Sequence, residues 1–100
     1  MFDNLNLYEV VRRQSITDSL TGVQNRRYFD EKLSVETERA VRYKRSMALV
    51  ILDLDDFKRI NDDPRYGHPQ GDSVLKELGA LLRKQSRQID IVCRYGGEEF

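Results

Sequence analysis

The feature that most constrains this chain is an apolar run that ends abruptly in acids, "MALVILDLDDF" at residues 47–57. Its apolar residues, 47–52, are consecutive rather than alternating, and that pattern is typical of a strand covered on both faces. The run is far too short to cross a bilayer. It therefore predicts a buried strand that carries Asp53, Asp55 and Asp56 at its C-terminal end.

Helical patterns lie on both sides of this run. Asn25 is a suitable N-cap for a helix over residues 26–45, and apolar side chains recur on one face of that segment. A second helix is predicted over residues 71–85, where the apolar residues again have helical spacing.

The C-terminal residues predict a strand and a turn. "IDIVCRY" at residues 89–95 alternates as a strand does, and Gly96-Gly97 is typical of a hairpin turn from which residues 98–100 begin the returning strand. The predicted order is helix, strand, helix, strand and unfinished hairpin. That order indicates an α/β fold whose sheet lacks its remaining strands.

The N-terminal segment allows two interpretations. Residues 5–14, "LNLYEVVRRQ", carry Leu7, Val10 and Val11 at helical spacing. The segment is either a short amphipathic helix that packs on its own domain or the end of a longer helix that arrives from an upstream module.

Charge and cysteine content exclude some classes of protein. Lys+Arg and Asp+Glu both number 17, so the net charge of +0 provides no field for sequence-independent binding of nucleic acid. Cys93 is the single cysteine and is most simply a small core residue. It cannot form an internal disulfide, which makes a reducing cytoplasm the expected location. No basic-then-apolar leader opens the sequence, so no signal peptide is predicted.

The acids at the end of the apolar run suggest a cation site. Mg²⁺ prefers oxygen ligands and commonly uses one or two carboxylates together with substrate phosphates. Alternation along the strand sends Asp53 and Asp55 to the same face, with Leu54 opposite. The alternative is that these acids only terminate the strand and cap the segment after it, and the stretch alone favours neither interpretation.

Glycines and carboxylates adjoin in "YGGEEF" at residues 95–100. Gly96 and Gly97 would let the backbone approach a phosphate closely, because no Cβ stands in the way. Glu98 would reach the same cation as Asp53 if the two strands are neighbours. Taken alone, the stretch is more simply an ordinary hairpin with solvated glutamates, but its combination with an acid-tipped buried strand favours the functional interpretation.

Four ordered motifs make the sequence similar to a known family. They are "DSLTGVQNRRYF" (18–29), "LDLDDFKRIND" (52–62), "YGHPQGDSVL" (66–75) and "RQIDIVCRYGGEEF" (87–100). The chain resembles the GGDEF family of diguanylate cyclases from about residue 18 to residue 100.

The resemblance implies an α/β fold, an α+β sandwich of the nucleotidyl-cyclase type, with a palm-related, ferredoxin-like sheet flanked by helices and truncated after the hairpin. Residues 1–17 would be an N-terminal linker or signalling helix. Residues 18–100 would be a partial GGDEF domain without its C-terminal part.

The resemblance also implies an activity. Such enzymes condense two GTP molecules into cyclic di-GMP and release two pyrophosphates, with each domain of a homodimer holding one GTP and with Mg²⁺ or Mn²⁺ as cofactor. By likeness, Asp53, Glu98 and the Leu54 carbonyl are metal ligands. Glu98 or its neighbour Glu99 takes the proton from the attacking 3′-hydroxyl, and Lys58 steadies the triphosphate and its developing charge.

The residues that the likeness assigns to the substrate are Asn61, His68, Asp72, Leu75, Gly96 and Gly97. Asn61 and Asp72 would read the guanine edge, Leu75 would pack beneath the base, and the two glycines would line the phosphates. A plain core leucine explains position 75 equally well. A lone histidine in a Gly-rich turn, such as His68, is more often a local hydrogen-bonding residue than a catalyst.

Arg87 and Asp90 form an Arg-x-x-Asp pattern just ahead of the hairpin. In this family the pattern is an inhibitory site that binds product, and arginine forks suit phosphate and guanine together. The alternative is a surface ion pair of little energetic value. Its position in the sequence favours the inhibitory site.

The sequence departs from the family pattern in two ways. Asp63, Pro64 and Arg65 stand where most relatives have one residue, which lengthens the connection between Asn61 and Asp72. The family domain also continues with further strands and basic contacts to the triphosphate.

We therefore expect the parent protein to be a cyclase with an upstream sensory module, and the chain by itself to be inactive. The rival class is a catalytically inactive module that binds GTP or cyclic di-GMP. Whether the parent is membrane-anchored through an upstream region stays open.

Overall fold

The structure, a computed structural model, describes residues 7–11, 15–65 and 67–100, with side chains in the last range from residue 70 onward. Residues 7–11 are helical, and three further helices come after them. We number these α1 (Arg26–Tyr43), α2 (Phe57–Asp62) and α3 (Gly67–Gln85). Within the described ranges, β pairing consists of isolated bridges that join Thr17 to Gln24, Gln24 to Cys93 and Asp53 to Glu99.

Helix α1 begins and ends where its sequence provides caps. The Asn25 side chain accepts a hydrogen bond of 3.0 Å from the Tyr28 N–H, which confirms Asn25 as the N-cap. At the other end Lys44 adopts the left-handed conformation, with φ of 52°, and its N–H bonds back to the last turn. The helix therefore stops at Tyr43 instead of continuing to the predicted Arg45.

Helix α2 is absent from the sequence prediction, and α3 is longer than predicted. Asp56 precedes α2 in the left-handed region, with φ of 59°, and its side chain makes no capping hydrogen bond. Local sequence therefore gives α2 little support, and its stability comes from packing on α3. Helix α3 begins at Gly67 rather than at residue 71, so His68 lies in a helical turn and not in a Gly-rich loop.

The core lies between α2, α3 and the C-terminal residues. Its buried apolar members are Val23, Phe57, Leu75 and Phe100. Half-buried side chains complete it, and these are Leu20, Leu54, Leu78, Leu82 and Val92. Full burial of one such side chain contributes about 1.5–3 kcal/mol to the free energy of unfolding.

The apolar run at residues 47–52 differs from its prediction. Its side chains are exposed, from 39% at Leu52 to 69% at Val50, and no residue of α1 is buried. The reason is that in the described part of the chain only the end of the run is paired, and neither face of it is covered by a helix. A continuous apolar run predicts burial only where covering elements are in place.

The N-terminal helical residues are also exposed. Leu7, Val10 and Val11 are 62%, 48% and 55% exposed, so residues 7–11 do not pack their apolar side chains on the domain. This is contrary to the first of the two interpretations of that segment. Residues 5, 6 and 12–14 of the predicted helix lie outside the described residues. No helix in the described ranges combines the length and the apolar content that a membrane span needs.

Candidate functional site

Two acidic segments meet where the apolar run ends. Leu52 and Phe100 exchange backbone hydrogen bonds of 2.7 and 2.9 Å, and an antiparallel bridge sets Asp53 opposite Glu99. Residues directly opposite in an antiparallel pair project on the same face. The two segments are therefore neighbours, which is the condition on which the sequence interpretation depended, and the carboxylate at position 53 shares a face with that at position 99.

Glu98 takes a different place from a regular strand residue. Its carbonyl accepts a 3.3 Å hydrogen bond from the Leu54 N–H, and it lies in the bend between Gly97 and the bridge. Glu98 is half-buried, whereas Asp53 is exposed. Nowhere in the described part of the chain do three or more metal-binding side chains converge.

The glycine turn is closed by its backbone. The N–H groups of Tyr95 and Gly96 both donate to the Glu99 carbonyl, at 2.8 and 3.3 Å. A Cβ at Gly96 would overlap the Glu99 carboxylate, so this glycine makes room for the glutamate. A Cβ at Gly97 would meet no atom within 4 Å. The outer side of the turn is therefore open to a ligand.

Arg94 is a residue that sequence reasoning missed. Its Nη2 donates to the Gly97 carbonyl at 2.8 Å, its Nε to the Gly96 carbonyl at 3.3 Å, and its Nη1 lies 3.3 Å from Asp18 Oδ2. Asp18 also accepts from the N–H and hydroxyl of Thr21, at 3.0 and 2.6 Å. Burial raises the pKa of Asp18, but the bonds from Thr21 and Arg94 outweigh it and hold the pKa below its ordinary value.

A second arginine holds the start of the turn. The Arg26 guanidinium lies 3.8 Å from the centroid of the Tyr95 ring and donates to the Tyr95 carbonyl at 3.3 Å. Phe29 contacts the same ring edge to face, with centroids 5.3 Å apart. Because Arg26 and Phe29 belong to α1, this helix fixes the position at which the turn begins.

The packing of α2 on α3 brings the two predicted guanine readers together. Asn61 Oδ1 lies against Gly71 so closely that a Cβ there would overlap it, and Asp72 is the next residue. This oxygen is buried without a hydrogen-bond partner, which costs about 1–3 kcal/mol. Lys58 is exposed on the same helix α2 and lines an open cleft of about 440 Å³.

The lengthened connection after Asn61 folds back on itself. Asp63 Oδ1 accepts from the Arg65 N–H at 2.8 Å, and its Oδ2 lies 3.1 Å from the Arg65 guanidinium. These hydrogen bonds from Arg65 lower the pKa of Asp63. The extra residues thus form a local turn, and Asn61 still lies against Gly71 despite the longer connection.

For three further residues that the sequence analysis discussed, the described part of the structure gives no evidence of contact with a ligand. Leu75 is only 2% exposed in the core, and this explains it without a ligand. His68 lies in the first turn of α3, and its side chain is outside the described part. Cys93 is buried as expected, and burial raises the pKa of its thiol to about 11.

Arg87 and Asp90 contact each other at the surface. Two guanidinium bonds of 3.3 and 3.4 Å join them, and the Arg87 N–H also donates to the Asp90 carboxylate at 3.0 Å. The backbone bond, together with the weaker effect of the guanidinium bonds, holds the pKa of Asp90 below its ordinary value. The Arg87 side chain is 78% exposed, and the pair borders a cleft of about 640 Å³.

Comparisons with known proteins agree with the motifs. The profile of the family described as "Diguanylate cyclase, GGDEF domain" matches residues 15–100. The diguanylate cyclase DgcS of Shewanella oneidensis is 42% identical over 97% of this chain. The aligned region is 32% of that relative, so the chain spans about a third of its length.

Two solved structures have the same fold. Diguanylate cyclase SiaD of Pseudomonas aeruginosa, in complex with its activator SiaC, matches with a TM-score of 0.82 and 42% identity, over 99% of this chain and 36% of that one. The GGDEF domain of DgcB from Caulobacter crescentus, in complex with c-di-GMP, matches with a TM-score of 0.79 and 34% identity, over 84% of this chain and 47% of that one. The expected fold is thereby confirmed.

Proposed function

Because the chain belongs to the GGDEF domain family of diguanylate cyclases, we propose that the protein that carries it condenses two GTP molecules into cyclic di-GMP. Each condensation forms a bond between the 3′-oxygen of one GTP and the α-phosphorus of the other, and pyrophosphate leaves. The observation that carries the proposal is the pairing of Asp53 with Glu99 beside the open Gly97.

The acidic residues have separate tasks in this reaction. Asp53, Glu98 and the Leu54 carbonyl would hold Mg²⁺ or Mn²⁺, which neutralises phosphate charge when bound. Glu99 or Glu98 accepts the proton of the 3′-hydroxyl, and the Glu99 carboxylate lies beside the turn, in space that the absent Cβ of Gly96 leaves open. Gly97 leaves room for the phosphates to approach the backbone.

The substrate is held at the packed edge of α2 and α3. Lys58 supplies a positive charge toward the triphosphate from its open cleft. Asn61 and Asp72 would offer amide and carboxylate groups to the guanine edge. Two such domains, each with one GTP, would meet as a homodimer.

Regulation would come from two places. Arg87 and Asp90, beside the cleft of about 640 Å³, would bind cyclic di-GMP and restrain the domains from meeting productively. The exposed apolar side chains of residues 7–11 are consistent with a helix that continues into an upstream sensory module.

The test replaces one carboxylate in the full-length protein. Asp53→Asn should abolish pyrophosphate release and cyclic di-GMP formation, since a carboxylate ligand is lost, and should leave the circular dichroism spectrum unchanged. Asp56→Asn is the matched control. Asp56 undergoes the same charge change three residues away, is exposed, makes no capping bond, and adopts a left-handed conformation that asparagine tolerates.

The control should therefore keep its turnover. Near-normal turnover by Asp53→Asn would contradict the metal assignment. If the wild-type protein binds cyclic di-GMP in calorimetry but does not form it from GTP, the protein is an inactive binding module and the proposed enzymatic function is wrong.

A further inference from the structure

The Arg94 side chain spans two parts of the chain that are far apart in sequence. Its guanidinium uses all three nitrogens: Nε and Nη2 donate to the carbonyls of Gly96 and Gly97, and Nη1 reaches Asp18, which is 76 residues away. Arginine presents its donors in a fixed planar fork, so one side chain satisfies both sets of acceptors at the same time.

The far end of this contact is anchored on α3. Asp18 accepts two hydrogen bonds from Thr21, and Thr21 is only 6% exposed. Thr21 in turn lies against Gly79, where an added Cβ would come within 2.9 Å of the Thr21 carbonyl oxygen. The Asp18 carboxylate is therefore fixed to the helix, and it cannot follow the guanidinium if the turn moves.

Partial burial gives this ion pair more weight than a surface pair. The side chains of Arg94 and Asp18 are both 20% exposed, whereas the ion pairs of α1 have arginines that are 50–63% exposed. Removing water strengthens the attraction between charges, and solvated pairs contribute little. This pair is therefore better suited than the ion pairs of α1 to hold a backbone segment in place.

The held segment is the glycine turn. Two adjacent glycines have the greatest conformational freedom of any pair, and Gly97 has no neighbouring atom within 4 Å of its Cβ position. In the described part of the chain, two N–H bonds to the Glu99 carbonyl close the turn, and the other hydrogen bonds, apart from those of Arg94, reach its flanks, at Tyr95 and Glu98, rather than the glycines. The carbonyls on the other side of the turn depend on the guanidinium.

We propose that Arg94 is a positioning residue of the reaction, which fixes the Gly96 and Gly97 carbonyls so that Glu98 and Glu99 stand where the chemistry needs them, and that Asp18 holds Arg94 in place for this task. The proposal rests on the proposed function. A displacement of about 1 Å at a reacting group can cost about 10²-fold in rate. Loss of either partner therefore lowers turnover more than it lowers substrate binding.

The decisive variants are Arg94→Lys and Asp18→Asn in the full-length protein. Lysine keeps the charge, but its single ammonium cannot reach Asp18 and both carbonyls together. We expect kcat to fall by about 10–10²-fold in each variant, with the KM for GTP little changed. The double variant should lose little more than either single variant, because the two residues act as one unit.

The matched control is Arg42→Lys on α1. Arg42 makes an exposed ion pair with Glu38, with side chains 63% and 70% exposed, so the same chemical change should leave kcat and KM as in the wild type.

A second readout does not depend on activity. Hydrogen exchange at the amides of residues 95–99 should speed up in Arg94→Lys and Asp18→Asn by a larger factor than exchange at the amides of α3, which reports only the change in global stability. If the wild type forms no cyclic di-GMP, the proposed function fails, and the exchange measurement still decides whether Arg94 holds the turn. Unchanged exchange at residues 95–99, or a fall in kcat that only accompanies a global loss of protection, would overturn the inference.

Discussion

Replacing Gly79 by alanine tests whether the loop at Thr21 is fixed on α3 as rigidly as the structure indicates. In an exposed helix position this change would raise the free energy of unfolding by about 1 kcal/mol, because alanine is the better helix former. Here the new Cβ would lie 2.9 Å from both the Cβ and the carbonyl oxygen of Thr21. Both atoms are part of or directly attached to the backbone, so the loop itself must shift.

Overpacking of this kind costs about 1–3 kcal/mol, and a clash with backbone belongs in the upper half of that range. Subtracting the gain of about 1 kcal/mol in helix propensity leaves a net loss of about 1–2 kcal/mol. The measurement is urea denaturation of the full-length protein, monitored by circular dichroism. The dependence of the unfolding free energy on urea concentration should be unchanged, and the midpoint concentration of urea should fall. Ala80→Gly, the reverse change at the next, exposed position, should cost about 1 kcal/mol by propensity alone. A Gly79→Ala variant more stable than the wild type would refute the reasoning, because propensity would then outweigh the contact.

Two further results are expected from charged residues. Asp18→Asn should destabilise the protein at neutral pH. Because folding lowers the pKa of Asp18, the ionised carboxylate stabilises the protein above its ordinary pKa, and the difference in unfolding free energy from wild type should shrink as acid protonates it. A difference that stays constant from about pH 7 to about pH 3 in urea denaturation would contradict this. Arg87→Ala should leave the initial velocity unchanged but keep the progress curve straight where the wild type slows with accumulating cyclic di-GMP. Curves that bend alike would make the pair with Asp90 a surface ion pair only.

The parts of the fold that depend on local contacts could be predicted from the sequence. Asn25 caps α1 through a bond to the third residue beyond it, so residue type and position were sufficient. The end of α1 at Lys44 and the existence of α2 were not predicted. Lys44 and Asp56 adopt left-handed conformations; lysine gives no signal for this, and aspartate, although enriched there, adopts it in only a minority of cases.

Long-range features divide differently. The sequence placed Glu98 near Asp53 only on the condition that the two segments are neighbours; the bridge that makes them neighbours pairs Asp53 with Glu99. The contact of Arg94 with Asp18 could not be expected, because nothing in a single sequence pairs residues 76 positions apart. The prediction that residues 47–52 are buried was wrong for a physical reason. Hydrophobicity indicates that a segment is stabilised by being covered, but it does not indicate which element covers it.

The buried thiol of Cys93 has a practical consequence for observing the turn in solution. The thiolate is the reactive form, and with its pKa raised to about 11 and 8% of the residue exposed, this cysteine reacts slowly with alkylating dyes at neutral pH. Because the chain contains no other cysteine, a cysteine introduced at the exposed Gly97 position would be labelled selectively over it. A fluorophore there would report the motion of the turn, with little background fluorescence from labelled Cys93.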